Sequence, residues 1–273
     1  MKSFFRTLGP RSATAFTELV TNRRQALITL LGCLALGLTG AQVRGADAAS
    51  STEKPIRILV VTGGHDFEKE PFFKLFKEMP GVTFEAVAHP QAHDRLKAEA
   101  AGTWDVLVLY DMWAEISDPA KADFVARLKE GKGLVALHHC LASYQKWDEY
   151  ARIIGGKYHS EKWTQDGVEK PASTYLHDVN WTVHVADASH PVCRGIKDFQ
   201  IHDETYGGTE VHPDAHPLLT TDEPTNGRTV AWVKSYGAAR VVYLQLGHDH
   251  QAYQNANYRR LLEQAIRWAA KRE

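Results

Sequence analysis

Ile56-Arg57-Ile58-Leu59-Val60-Val61-Thr62 is a short run of aliphatic and β-branched residues, closed by Gly63-Gly64-His65-Asp66. A run of this length and composition, bounded by a glycine pair, reads as a strand buried on both faces of a sheet. The pattern recurs along the chain. Trp104–Tyr110 (WDVLVLY) ends at Asp111, and Leu134–Leu137 (LVAL) runs into His138-His139-Cys140. Phe199–Ile201 leads into His202-Asp203-Glu204, and Val241–Leu246 (VVYLQL) into Gly247-His248-Asp249-His250. In an open parallel sheet the carboxyl ends of the strands share one edge, and ligands bind in the crevice above it. Strand ends that repeatedly deliver imidazoles and carboxylates therefore predict one polar pocket.

Between these strands the chain alternates in βα fashion. Phe72, Phe73, Leu75 and Phe76 give a helix within Pro71–Met79 a broad apolar face, and Val82–Val87 reads as a second strand. Ser117-Asp118-Pro119 starts a helix that runs through Leu128, with proline near its first position. The second half is strand-rich: His177–Ala186, Phe199–Thr205, Pro217–Thr221, Thr229–Lys234 and Val241–Leu246 precede the amphipathic helix Tyr258–Ala270. Arg228–Lys234 and Ala239–Leu246 are expected to pair as a hairpin. The fold class predicted is α/β, a mostly parallel sheet with antiparallel additions.

The first part of the chain reads differently. Asn22-Arg23-Arg24-Gln25 precedes the apolar run Ala26–Leu38, and Ala46-Asp47-Ala48 offers small residues for cleavage. This is the layout of an export signal over residues 1–48, and the paired arginines with a long charged region resemble the twin-arginine type. Such a signal implies a periplasmic or otherwise exported protein with no membrane partner after cleavage. Residues 49–55 form a polar linker, and 56–273 one domain of ordinary size. The first 48 residues carry six basic side chains and two acidic ones, so a whole-chain charge of −1 leaves the remainder near −5. A mildly acidic domain without a basic run excludes an electrostatic footprint for nucleic acid. Cys140 and Cys193 remain after cleavage, either as buried thiols or as a disulfide that an oxidising compartment would permit.

The motifs at the strand ends carry the chemistry. His65 follows two glycines that let the backbone turn tightly. His138 occupies a strand-to-helix elbow, the place where α/β hydrolytic folds present a nucleophile. A histidine there suits a metal ligand, a proton shuttle or a hydrogen-bonding group, and Cys140 two positions on is an alternative nucleophile. Glu204 is a strand carboxylate, which burial obliges to find a partner. His248 follows the last buried strand. His65, His138, Glu204 and His248 are the expected catalytic set, with Asp66, Asp111, Trp113, His159 and Tyr206 as substrate-binding neighbours. His138, Glu204 and His248 would also suit zinc or another divalent metal. His89, His93, His177, His212 and His216 lie beside prolines, charges or turns and are expected at the surface.

Taken together, LVVTGGHDFE (59–68), DVLVLYD (105–111), GKGLVALHH (131–139), GGKYH (155–159), HPVCRGIKDFQIHDETY (190–206) and ARVVYLQLGHDHQAYQNANYRRLLEQAIRWAA (239–270) resemble the trehalose-utilisation (ThuA-like) family. The resemblance spans the mature chain. It implies a flavodoxin-like, class I glutamine amidotransferase-like three-layer sandwich, and a place in carbohydrate metabolism near 3-keto disaccharides or glycosides. The position that would hold the amidotransferase cysteine is His138, which argues against glutamine hydrolysis. The expected partner is a small saccharide, and a homo-oligomer is compatible with the sequence. An enzyme acting on a keto-glycoside by His/Glu acid–base chemistry, metal-assisted or not, is the first reading. A non-catalytic saccharide-binding domain using Trp113, Trp147, Trp163 and Tyr206 is the second, and a Cys140-dependent hydrolase the third.

Overall fold

The structure is a computed structural model that describes residues 53–273. The expected export signal, the twin-arginine pair and the first part of the linker lie outside the described residues. Strand β1 (Ile56–Gly63) is followed by α1 (Lys69–Lys77), β2 (Val82–Ala88) and β3 (Val106–Asp111). Then come α2 (Asp118–Lys129), β4 (Gly133–Leu137), α3 (Asp148–Ile154) and the short strands β5 (Gly156–Lys157), β6 (Trp163–Gln165) and β7 (Val168–Lys170). The strand-rich part holds β8 (Thr174–Val185), β9 (Phe199–Gly207), β10 (Glu210–Val211), β11 (His216–Thr220), β12 (Thr229–Tyr236) and β13 (Ala239–Leu244). Two helices close the chain, α4 (His250–Gln254) and α5 (Ala256–Ala269).

One nine-stranded sheet dominates, in the order β2-β1-β3-β4-β13-β12-β11-β8-β9. From β2 to β13 neighbouring strands pair in parallel, and this part has the strand order of a flavodoxin-like sheet. From β13 to β9 the pairing is antiparallel, including the expected β12–β13 hairpin. Alternate residues of β1 feed two separate cores, because successive side chains of a strand point to opposite faces. Ile56, Ile58 and Val60 pack with Phe72 and Phe76 of α1 and with Leu261, Leu262 and Ile266 of α5. Leu59 and Val61 pack with Phe124 and Leu128 of α2 and Ile153 and Ile154 of α3. The sheet is thus the middle of three layers, and each fully buried aliphatic side chain contributes about 1.5–3 kcal/mol.

Local signals set the element ends. The Ser117 hydroxyl accepts from the Ala120 amide at 3.4 Å to cap α2. Asp249 caps α4 by accepting from the Gln251 and Ala252 amides. Among the described residues no helix is long and apolar enough to cross a membrane.

Candidate functional site

The loops after β1, β3, β4 and β13 meet at one edge of the sheet, and the end of β9 joins them from the antiparallel side. His138 begins a short 3-10 turn directly after β4 in the left-handed region, with φ of 50°. A side chain with a Cβ pays about 1–2 kcal/mol there, so the surroundings must hold it. Tyr243 donates its hydroxyl to the His138 carbonyl at 3.0 Å, and His138 Nδ1 donates to the Gln245 carbonyl at 2.6 Å. Because a carbonyl can only accept, the proton on Nδ1 is assigned and Nε2 is turned toward Glu204.

Glu204 Oε2 lies 3.0 Å from His138 Nε2 and 3.4 Å from His248 Nδ1, and the two imidazole nitrogens are 3.2 Å apart. The Tyr206 hydroxyl approaches the same His138 nitrogen at 3.0 Å. Two lone pairs cannot face each other at such distances without a cation between them, which must be a proton or a metal ion. Glu204 feels both burial, which raises its affinity for a proton, and hydrogen bonds from His138 and His248, which win and hold the carboxyl well below the usual carboxylate range. The hydrogen bond to Glu204 in turn raises His248 above its ordinary value, against the opposing effect of burial. Burial pushes the Tyr206 hydroxyl well up, so it stays protonated and able to donate.

The donor set also fits a divalent ion. Among the described residues, His138, Glu204 and His248 are the group of histidine, cysteine and carboxylate side chains whose ligand atoms converge. Their separations of 3.0, 3.2 and 3.4 Å match the roughly 3.3 Å between neighbouring ligands on a tetrahedral zinc with bonds of about 2.0–2.1 Å. The Gln245 carbonyl on His138 Nδ1 is the outer partner that fixes the tautomer of a metal-binding histidine. Buried Asp203 does the same for the backbone: it accepts from the Glu204 and His248 amides at 2.9 and 3.0 Å and from Gly247 at 2.8 Å. Burial pushes the Asp203 carboxyl up, against the pull of His138 and these three amides.

A cavity of about 380 Å³ opens beside this group. Glu204 and Tyr206 form its inner end, with His138 immediately behind them. His65 lines it and stacks on His139, ring centroids 4.6 Å apart. His65, Glu204 and Tyr206 therefore share one cavity, and His138 and His248 touch Glu204. Trp113 is also in the wall, held parallel to the buried His89 ring at 5.0 Å.

Other expected neighbours lie elsewhere. Asp66 is exposed and offers its carbonyl to His65 Nδ1. Asp111 is fully buried at the end of β3, where it pairs with His89 Nε2 at 3.0 Å, so it supports Trp113 from behind rather than facing the cavity. His159 turns away to Glu210 at 2.8 Å and stacks on Trp163 at 3.9 Å, leaving Ser160 in the wall. Trp147 packs against Phe124 and Tyr150. Cys140 and Cys193 are free and buried, and burial pushes the Cys140 thiol well up; with no place in the cavity wall, it has no access to a substrate.

Two histidines of the site escape the sequence reading. His139 is buried in the wall with neither ring nitrogen hydrogen-bonded, and burial holds it well below the ordinary histidine value, hence neutral. His177, expected at the surface, is exposed but lines the cavity, with Nδ1 3.3 Å from Glu204 Oε1. A β-bulge brings it there. Leu176 pairs with Thr205 and Val179 with Asp203, so His177 and Asp178 together oppose Glu204. Asp178 takes the left-handed conformation, φ 59°. Asp tolerates that region better than most residues, and His177-Asp178 at a break in an alternating strand is the signal that could have found the bulge. His89 is the second correction: the position beside Pro90 is buried, because its ring fills the space between Asp111 and Trp113.

A profile of the trehalose-utilisation family, ThuA, matches residues 57–269, and the chain belongs to that family. Solved structures share its fold. A ThuA-like protein from Parabacteroides merdae is 21% identical, with a TM-score of 0.66 over 80% of this chain and 90% of that one. A ThuA-like protein from Bacteroides uniformis is 17% identical, with a TM-score of 0.61 over 82% and 95%. A cytoplasmic protein of Salmonella typhimurium is 12% identical, with a TM-score of 0.54 over 78% and 99%. No curated protein sequence matches the chain.

Proposed function

We propose that this protein is a carbohydrate-processing enzyme that acts on a keto-glycoside or related sugar by acid–base chemistry of its histidines and Glu204. The observation that carries this reading is the convergence of His138, Glu204 and His248 at separations of 3.0–3.4 Å beside a cavity. Family membership supports the sugar, and the site supports the chemistry. A ketone acidifies the neighbouring C–H bond, so a base and an electrophilic partner suffice to move that proton. His177 faces the cavity and leans on Glu204, where it can take the proton and return it. The Tyr206 hydroxyl stays protonated and offers a hydrogen bond to a substrate oxygen. His138, Glu204 and His248 would hold a divalent metal, which when bound supplies Lewis-acid polarisation of the substrate carbonyl. The aromatic side chains Trp113, Tyr158 and Tyr206 in the cavity wall would orient the sugar ring.

The test uses the protein purified without chelators. Metal content would be measured before and after zinc, manganese or cobalt is supplied. The protein would then be incubated with 3-keto and unoxidised glucosides and disaccharides in D₂O, with NMR following deuterium uptake and bond cleavage. Deuterium uptake next to the ketone is expected for at least one keto sugar. His138→Ala should remove the bound metal and the exchange while circular dichroism stays native. Saccharide binding without exchange or cleavage across the panel, with each metal supplied, would replace the enzyme with a binding domain built on Trp113 and Tyr206.

A further inference from the structure

The two ends of the cavity differ in what they offer a ligand. The inner end is polar and buried, with Glu204 and Tyr206 in its wall. The mouth is apolar: Met112 and Tyr175, two of the four large hydrophobic side chains exposed among the described residues, stand there at 40% and 61% exposure. Trp113 and Ala114 continue the same wall.

Gln145, Tyr158 and Ser160 in the cavity wall are already hydrogen-bonded within the protein. Gln145 donates to the Ala142 and Tyr158 carbonyls at 2.9 and 2.8 Å, and its Oε1 accepts from the Ser160 amide and hydroxyl at 3.3 and 3.2 Å. The Tyr158 hydroxyl donates to the Ser173 carbonyl at 3.1 Å. A second sugar ring placed against Gln145, Tyr158 and Ser160 would bring hydroxyls that lose water and gain few partners from these side chains, which binding penalises. A flat apolar group would instead cover Trp113, Met112 and Tyr175. The Trp113 platform is rigid, since His89 behind it is held by Asp111 at 3.0 Å and by the Tyr144 hydroxyl at 3.2 Å.

We infer that the substrate is a glycoside with an aromatic aglycone, its sugar at Glu204 and its aglycone against Trp113, Met112 and Tyr175. This rests on the sugar chemistry proposed above, and it narrows the substrate from disaccharides to aryl glycosides.

The test compares phenyl and methyl β-glucosides, each as the 3-keto form, with 3-keto-trehalose, on the full chain. Affinity is read by calorimetry and turnover by NMR. The phenyl compound should bind about tenfold or more tightly than the methyl one, from the apolar area and ring contacts it adds. In the Met112→Ser/Tyr175→Ser variant, checked for native circular dichroism, that ratio should fall toward one. Equal handling of phenyl and methyl compounds overturns the inference while leaving the enzyme reading intact, as does preference for 3-keto-trehalose. Phenyl-selective binding without turnover supports the aglycone site while failing the enzyme reading. A variant that changes the sedimentation coefficient but not the ratio overturns the inference, because the mouth is then a contact between copies of the chain.

Discussion

Gly64→Ala would place a methyl group 2.1 Å from the Met112 carbonyl oxygen and 2.6 Å from its carbon, at a backbone φ of +82°. The loop after β1 lies directly on the end of β3 here, and the Met112 amide donates to the Gly63 carbonyl at 2.8 Å. Two costs add. Holding a residue with a Cβ in the left-handed region costs about 1–2 kcal/mol. Relieving a contact this short needs a shift of about 1 Å in a packed loop pair, and overpacking of that kind costs about 1–3 kcal/mol. The sum is about 2–5 kcal/mol. In a domain of this size each kcal/mol moves Tm by about 2–4 °C, so a fall of about 4–20 °C is expected. Gly167→Ala supplies the control: its φ is +77°, but nothing lies within 4 Å of the added methyl group. It should show the conformational cost alone. The assay is thermal unfolding followed by circular dichroism on both variants and the parent. Because the displaced loops carry His65 and Trp113, ligand affinity should fall in Gly64→Ala and hold in Gly167→Ala. Equal Tm losses in the two variants would refute the steric reasoning and the close seating of these loops.

Three further predictions concern the candidate ion site and export. His248 is raised by its hydrogen bond to Glu204, so a metal must displace a proton, and apparent metal affinity should climb by about tenfold per pH unit below the raised histidine value and then level off; pH-independent affinity in a competitive chelator titration would place the ion elsewhere. In the metal-free protein the His248 contribution to stability is present in full below pH 6.5 and lost as pH rises through its raised value, and that of Glu204 is present above pH 4.5 and lost as pH falls through its lowered one; denaturant titrations from pH 3 to pH 9 (roughly the span where both act) should show this decline on each side. If Arg23 and Arg24 belong to a twin-arginine signal, changing both to lysine should retain precursor inside the cell, whereas normal export of the variant would remove the twin-arginine reading.

Much of the frame was legible because burial writes itself into residue order. Ile56–Thr62, Trp104–Tyr110 and Leu134–Leu137 are apolar on both faces, as strands between two helical layers must be, and the polar residues that end them mark the edge where His65 and His138 emerge. Glu204 stood out as a carboxylate in a strand that burial would force to find a partner. The partners themselves were not legible. Along β8, Trp181 and Val183 face a core, and simple alternation puts Tyr175 and His177 on that same face. One extra residue at the bulge transfers both to the Glu204 side, a change that depends on the register against β9 rather than on either strand alone. Asp111 shows the converse: the end of β3 promises a cavity residue, yet His89 from a separate loop captures it behind Trp113. Sequence periodicity records which residues leave water. Which of them then meet is decided by strand register and loop packing, and that is why His177 joins the site only in three dimensions.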